Sequence, residues 1–385
     1  ENLFAAADLT GDRSYYDLAL HYLLEREWFN PLAAGNDVLP TRHAYSHIIA
    51  LSSGGQAYLS TGNPKYIKAM ENAWRFLEAQ RFASGGWGPE EQFVEPGKGK
   101  LFESLTNSKA HFETPCGSYA DLKLARYLIR LTADPRYGDG LERTLYNTML
   151  ATRTPDSDGG YPYYSNYGPH AVKQYYHSKW PCCSGTLAQG VADYVLNIYF
   201  HDDDALYVNL FTPSTVSWER PGGTIIVEQS TNYPAEDASR MTVHAGGRFA
   251  LRVRIPAWTT GATVRVNNGP IIPAKASRYF EVERHWKEGD TVDVVVPQML
   301  RTLSIDESHR EVVALLRGPV MYVGLNPWDG LAETPIALPA ALNPVKGRPD
   351  SYVMSVDGKE LVFVPYFEVQ IESHNTYFRK AGSQK

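Results

Sequence analysis

Thr10-Gly11-Asp12 followed by Tyr15 and Tyr16, then Thr61-Gly62-Asn63-Pro64-Lys65-Tyr66, then Thr132-Ala133-Asp134-Pro135-Arg136-Tyr137: one turn recurs three times in the first half of the chain. Each copy follows an apolar helical pattern and precedes an amphipathic one, as in Ala69 to Phe82 and Leu141 to Ala151. A fixed turn repeated between paired helices predicts an (α/α) toroid or solenoid over residues 1–203. An ordinary helical bundle with coincidental turns is the alternative. A closed toroid of six pairs needs more helix than residues 1–203 supply. The start, Glu1-Asn2-Leu3-Phe4, carries neither an initiator Met nor a signal-peptide pattern, so the chain reads as beginning in mid-barrel, without an N-terminal targeting region.

Beyond Ala205 the period changes to that of strands: Leu206 to Phe211, Thr224 to Gln229, Phe249 to Ile255, Thr263 to Val266, Tyr279 to Val282, Thr291 to Val296 and Val312 to Leu316. Asn267-Asn268-Gly269 after Val266 signals a hairpin. Short strands separated by Gly and Pro predict a β-sandwich over 204–325. Residues 326–385 supply further strands that complete this sandwich or form a second one. The expected class is therefore multidomain α+β.

Net charge is −6 with 21% charged residues, which gives no electrostatic footprint for nucleic acid. No apolar run reaches the roughly 20 residues that span a bilayer. The 25 Tyr and 8 Trp are amphipathic rings suited to stacking on sugars, although core packing uses them too.

The only thiols are Cys116, Cys182 and Cys183. Adjacent cysteines bridge each other only with strain, and so few thiols in 385 residues do not make a disulfide framework. Pro115 and Pro181 each precede a cysteine at an expected first helical turn, where exposed N–H groups favour thiolate. Glu113 and Cys116 stand at i and i+3, so a helix begun at Thr114 turns both one way. With Cys182 and Cys183 opening the next helix, the four side chains offer one oxygen and three sulfurs to a tetrahedral Zn²⁺. Three inert buried thiols are the bland alternative.

The loop Gly85-Gly86-Trp87-Gly88-Pro89-Glu90-Glu91-Gln92-Phe93 sets an aromatic ring beside two carboxylates, one of which can serve as a general acid at a pocket. Tyr161 to Trp180 holds six tyrosines with His170, His177 and Trp180 and runs straight into Cys182. Trp87, Tyr164 and His177 are candidates for a sugar subsite; a solvated acidic loop and a packed hairpin are the plainer readings.

Taken together, Glu113-Thr114-Pro115-Cys116, the helix Leu141-Glu142-Arg143-Thr144-Leu145-Tyr146-Asn147, Pro181-Cys182-Cys183, Asp204 to Leu210, Leu251 to Trp258 and Leu316-Arg317-Gly318-Pro319-Val320 resemble the β-L-arabinofuranosidase family GH127 and its relatives, including GH146. The resemblance covers essentially the whole chain. It implies an (α/α)6 barrel followed by β-sandwiches and a retaining mechanism with a zinc-bound cysteine nucleophile. By position Cys182 matches the nucleophile, Glu113, Cys116 and Cys183 the remaining zinc ligands, and Glu91 the acid/base. Glu142 matches a carboxylate near the substrate, and His47 a substrate-binding histidine, with His43 as the competing choice.

Two departures mark a divergent branch. Pro115 makes the first ligand pair Glu-x-x-Cys where the family reads Glu-x-Cys, and Glu90 rivals Glu91 as the acid. The implied substrate is an oligosaccharide or glycoside ending in β-L-arabinofuranose, a related furanose or an acidic sugar from plant polysaccharide. A lyase or epimerase with a base among Tyr164, Tyr176 and His177, and a non-catalytic zinc-stabilised carbohydrate-binding protein, are the rival functions. A homodimer is open, and so is the compartment: bacterial cytoplasm, periplasm or secreted.

Overall fold

The computed structural model describes residues 1–154, 159–177 and 182–382. The repeated turns join α1 (Asn2–Thr10) to α2 (Arg13–Tyr22), α4 (Ala44–Thr61) to α5 (Lys65–Glu78), and α7 (Thr114–Thr132) to α8 (Arg136–Thr144); the short α3 (Asn30–Ala33) and α6 (Lys100–Asn107) lie between pairs. All three turns are built alike. The hydroxyl of Thr10, Thr61 or Thr132 donates to the carbonyl four residues back and accepts from the backbone N–H two residues on. The following residue is left-handed, Gly11 at φ 71°, Gly62 at 70° and Ala133 at 51°. The side chain of Asp12, Asn63 or Asp134 then accepts from the N–H two residues on and opens the second helix.

Across the pairs, α1 packs on α4, α4 on α7, and α7 on α9 (Cys182–Asp193). This last contact brings the start of α7 to the start of α9, and with it the cysteines. The amphipathic segment expected at Ala69–Phe82 begins earlier and stops at Glu78, while the one at Leu141–Ala151 leaves α-helical geometry at Leu145 for a π-turn. In that turn Asn147 donates to Pro319 O (2.9 Å) and accepts from Met321 N–H (2.7 Å), tying the helices to the sheets.

Four short strands follow the helical pattern's breaks: β1 (Phe112–Glu113) pairs with β3 (Tyr164–Ser165), and β2 (Tyr161–Pro162) with β4 (Tyr175–Tyr176). The second half forms three sheets. A four-stranded sheet runs in the order Arg278–Trp286, Gly247–Ile255, Ala205–Val208, Tyr199–His201; a six-stranded one holds Thr263–Val266, Thr291–Val295, Ala238–Ala245, Gly223–Thr231 and Ser214–Arg220, with Ile272–Pro273 at its edge. An eight-stranded sheet spans Leu300–Ser304 to Phe378–Arg379. Alternate residues of all three enter one buried cluster, among them Leu206, Val227, Leu251, Val292, Leu315 and Phe363. The turn at Asn267-Asn268-Gly269 closes by Gly269 N–H donating to Val266 O at 3.0 Å.

Tyr199–His201 already pairs with Ala205–Val208, so the first sheet starts before residue 204. Val312–Arg317 pairs with Val320–Leu325, which pairs in turn with Lys359–Pro365, so these strands share one sheet with residues from 326–385. Local alternation marked Val312 to Leu316 but neither Val320–Leu325 nor Tyr199–His201, and a strand's sheet is decided by partners distant in sequence.

Candidate active site

Register places the first ligand. In the pairing of β1 with β3, Glu113 lies opposite Tyr164, and Thr114 N–H donates to Tyr163 O at 2.8 Å. Glu113 then serves as the N-cap residue of α7, with Pro115 in the first turn, where a missing N–H costs nothing. The additional residue is thus absorbed at the helix start. Phe112 fills the space under this turn, wedged so tightly that a Cβ on Gly117 would lie 2.2 Å from its ring.

Glu113, Cys116, Cys182 and Cys183 converge, with their ligating atoms all within 4.8 Å of one another. Cys116 Sγ lies 3.3 Å from Cys182 Sγ, 3.2 Å from Cys183 Sγ and 3.0 Å from Thr186 Oγ1. Glu113 Oε1 is 3.6 and 3.5 Å from Cys182 and Cys183 Sγ, while its Oε2 is buried without a hydrogen-bond partner. A tetrahedral zinc with bonds of about 2.3 Å to sulfur and 2.1 Å to oxygen has S···O edges of about 3.6 Å and S···S edges of about 3.8 Å. The S···O separations match these edges while the S···S separations of 3.2 and 3.3 Å are about 0.5 Å shorter, so the donor set fits zinc in number and chemistry, and a cation would give the orphaned carboxylate oxygen a partner. Without a cation the site opposes its own ionisation. Burial, then the Cys116 thiol and the charges of Cys116 and Glu113, push Cys182 up to about 12, and burial raises Glu113 as well. Cys116 is held above the thiol range first by its bond with Cys183 and then by burial. Cys116 and Cys183 are sealed at 0% exposure, whereas Cys182 is the exposed thiol.

Beside this group lies Glu91. Tyr164 Oη donates to its Oε1 at 2.5 Å and Tyr163 Oη at 3.3 Å; His43 Nε2 stands 3.2 Å from Oε2. His43 Nδ1 accepts from Ser46 N–H at the cap of α4, which leaves the ring proton on Nε2 facing Glu91. His43, Glu91 and Glu113 themselves fall within 4.8 Å, so the carboxylate of Glu113 borders both the thiols and Glu91. Glu90 turns away and is bound by Ser108 Oγ. Glu90 and Glu91 both have positive φ, 54° and 59°, a strained pair held by the loop's bonds to Arg42 and Ala110.

Other expected residues stand elsewhere. His47 lies one turn beyond His43, bonded to the His43 carbonyl at 2.8 Å with its ring edge on Trp28, and it is His43 that meets Glu91. Trp87 is 1% exposed and packs on Phe93 and Phe112; it supports the strand bearing Glu113 and does not face a ligand. Glu142, 0% exposed, is locked to Arg254 Nη2 at 2.9 Å and to Tyr233 Oη at 2.8 Å between the helices and the sheets. Its partners come from beyond residue 230, which a helical reading of 141–147 does not reveal. His177 is exposed past β4, close against Gly160, while Trp180 and Pro181 lie outside the described residues. Sequence reasoning passed over Thr186, one turn after Cys182, and Tyr163, which alternates with Tyr161 toward the cysteines.

The model of the β-L-arabinofuranosidase GH127 catalytic domain matches residues 1–195, and that of the GH127 middle domain matches residues 205–298. A non-reducing end β-L-arabinofuranosidase of Bifidobacterium longum subsp. longum is 26% identical over 349 residues, covering 82% of this chain and 50% of that protein. The chain thus spans half the length of that relative. Among solved structures, a GH127 β-L-arabinofuranosidase from Geobacillus stearothermophilus T6 superposes with a TM-score of 0.79 at 21% identity, over 98% of this chain and 71% of that one. A glycoside hydrolase superposes at 0.78 and 19% identity, over 98% and 74%. These two likenesses concern the fold. With the catalytic-domain model matched over half of its residues and the middle-domain model directly after it, the chain belongs to the β-L-arabinofuranosidase family GH127.

Proposed function

We propose that the protein is a retaining exo-glycoside hydrolase that releases a terminal β-L-arabinofuranosyl unit or a related furanose or acidic sugar. The observation that carries this reading is the single exposed thiol, Cys182, set among Glu113, Cys116 and Cys183 beside the braced carboxyl of Glu91. Cys182 sulfur attacks the anomeric carbon as the bond to the leaving oxygen breaks, and Glu91 delivers its proton to that oxygen. Water then attacks the thioglycoside carbon, Glu91 takes the water's proton, and the C–S bond breaks to return the thiolate. Zn²⁺ held by Glu113, Cys116, Cys182 and Cys183 would keep the thiols ionised at neutral pH and fix their positions. Tyr164, Tyr163 and His43 orient Glu91 in both steps. The helix pairs are read as part of an (α/α)6 toroid and the sheets after them as β-sandwiches, supported by the stacking of α1, α4, α7 and α9.

The test is mass spectrometry of the protein mixed with aryl β-L-arabinofuranosides, together with zinc analysis. A sugar adduct on the peptide containing Cys182, and about one zinc per chain lost in Cys116→Ser, are expected. Full glycosidase activity in Cys182→Ser would refute the mechanism.

A further inference from the structure

Away from the thiols, a cavity of about 770 Å³ opens where α5 and α8 meet the sheets, a volume that accommodates a disaccharide. Its charge is unusual for a chain of net charge −6: Lys68, Arg75, Arg136, Arg143 and Arg301 line it against only Glu71, Glu78 and Asp139.

Arg301 is the informative member. It arrives on strand Leu300–Ser304, and among the described residues its guanidinium has no carboxylate partner; Nη2 donates to Gly318 O at 3.0 Å, and Nε is buried without an acceptor. Arg143 lines the same wall, with Nη2 on Glu78 at 2.9 Å and Nε likewise buried and unmet. Glu78 is itself shared with Arg81, which is buried and bonded to Asp121. Carboxylates near these guanidiniums are therefore already engaged. Burial, and next the charge of Arg143, act together on Arg301, pulling its pKa down to about 10. A half-buried guanidinium with spare donors beside a second one is costly unless an anion meets it, and the planar fork suits a carboxylate or phosphate. The half-buried indole of Trp258 adds an aromatic wall of the kind on which sugar rings stack.

We propose that the cavity between α5, α8 and the sheets is a second binding site, taking the anionic group of a sugar-sized ligand on Arg301 and Arg143 with the ring against Trp258. The anion is a carboxylate, as on a uronic acid unit, or a phosphate. Nothing in it depends on the reaction assigned to Cys182.

The test is calorimetric titration of the chain with digalacturonate, glucose 6-phosphate and neutral arabinobiose. One of the two anions is expected to bind at millimolar concentration and arabinobiose not to; whichever anion binds more tightly identifies the source. Arg301→Gln should weaken that binding about tenfold or more and Arg301→Lys less, while Cys182→Ser leaves it unchanged. Trp258→Phe should retain binding, and the far-UV circular dichroism and urea midpoint of Arg301→Gln should match those of the unmodified chain, which reports that the variant is folded. Equal binding by arabinobiose, no binding of either anion at 10 mM of probe (about ten times a millimolar Kd), or undiminished binding in a folded Arg301→Gln would overturn the proposal.

Discussion

The protein contains two buried polar clusters that look alike on paper and behave oppositely. Around Arg254 every charge has an opposite close by: Nη1 reaches Asp139 at 2.5 Å, Nη2 reaches Glu142 at 2.9 Å, and Nε donates to Asn209 O at 2.6 Å. Tyr233 Oη and Ala257 N–H supply further donors to the two carboxylates. Against the downward pull of burial, Glu142 and Asp139 hold the guanidinium firmly charged. Around Cys116, by contrast, three thiols and a carboxylate crowd within 4.8 Å, with one carboxylate oxygen unmet. A cluster that closes its own charge joins domains, and one that lacks a cation is built for something from outside.

The strongest way to break this contrast is at its exposed thiol. Cys182→Ala should lower turnover of an aryl arabinofuranoside by about four orders of magnitude, because the proposed mechanism forms its covalent intermediate on this sulfur. Urea unfolding of the same variant should change far less, since Cys182 is exposed. Equal losses in rate and in folding would make the thiols structural.

Arg254→Met is the corresponding cut at the closed cluster. Removing the guanidinium leaves Glu142 buried with no cation, and stability in urea should fall by about 3–5 kcal/mol. Glu142→Gln keeps a polar group for Tyr233 but loses the ion pair, at a cost of about 1–3 kcal/mol. With Glu142 fully buried against Arg254 and Tyr233, KM and kcat of folded Glu142→Gln should stay within about twofold, a change of less than about 1 kcal/mol. A hundredfold rise in KM would restore Glu142 to the substrate.

What the sequence made legible follows the range of the interactions. The three turns are fixed by hydrogen bonds spanning at most four residues, so Thr-Gly-Asp and its variants can be read directly. The start of α7 is equally local, which is why Glu113 and Cys116 at i and i+3 point together despite Pro115. The enclosure of Glu142 and Trp87 was not legible for the converse reason. An inward-facing carboxylate and a loop tryptophan look functional until Arg254, Tyr233, Phe93 and Phe112 are seen to enclose them. His43 and His47 differ by one helical turn, and only the bridge between His43 and Gln92 decides which meets the Glu91 loop.

The mildest test uses a buried polar group with no charge to close. His374 is 0% exposed, donates from Nδ1 to Glu372 O at 3.1 Å, and leaves Nε2 buried and unmet. Burial pushes its pKa down from 6.5 to about 4. Between those values the unfolded chain takes up a proton that the folded one refuses, so stability falls as pH drops through that window and is indifferent to pH above it. The loss attributable to His374 should be about 1 kcal/mol between pH 6.5 and 5.5. His374→Gln keeps a donor for Glu372 but cannot be protonated, so its urea midpoint should vary less with pH over that unit than that of the unmodified chain. If the two pH dependences coincide, His374 is not held neutral by burial. The rule separating the two clusters, that a buried group must find its partner inside the protein or outside it, would then fail in its simplest case.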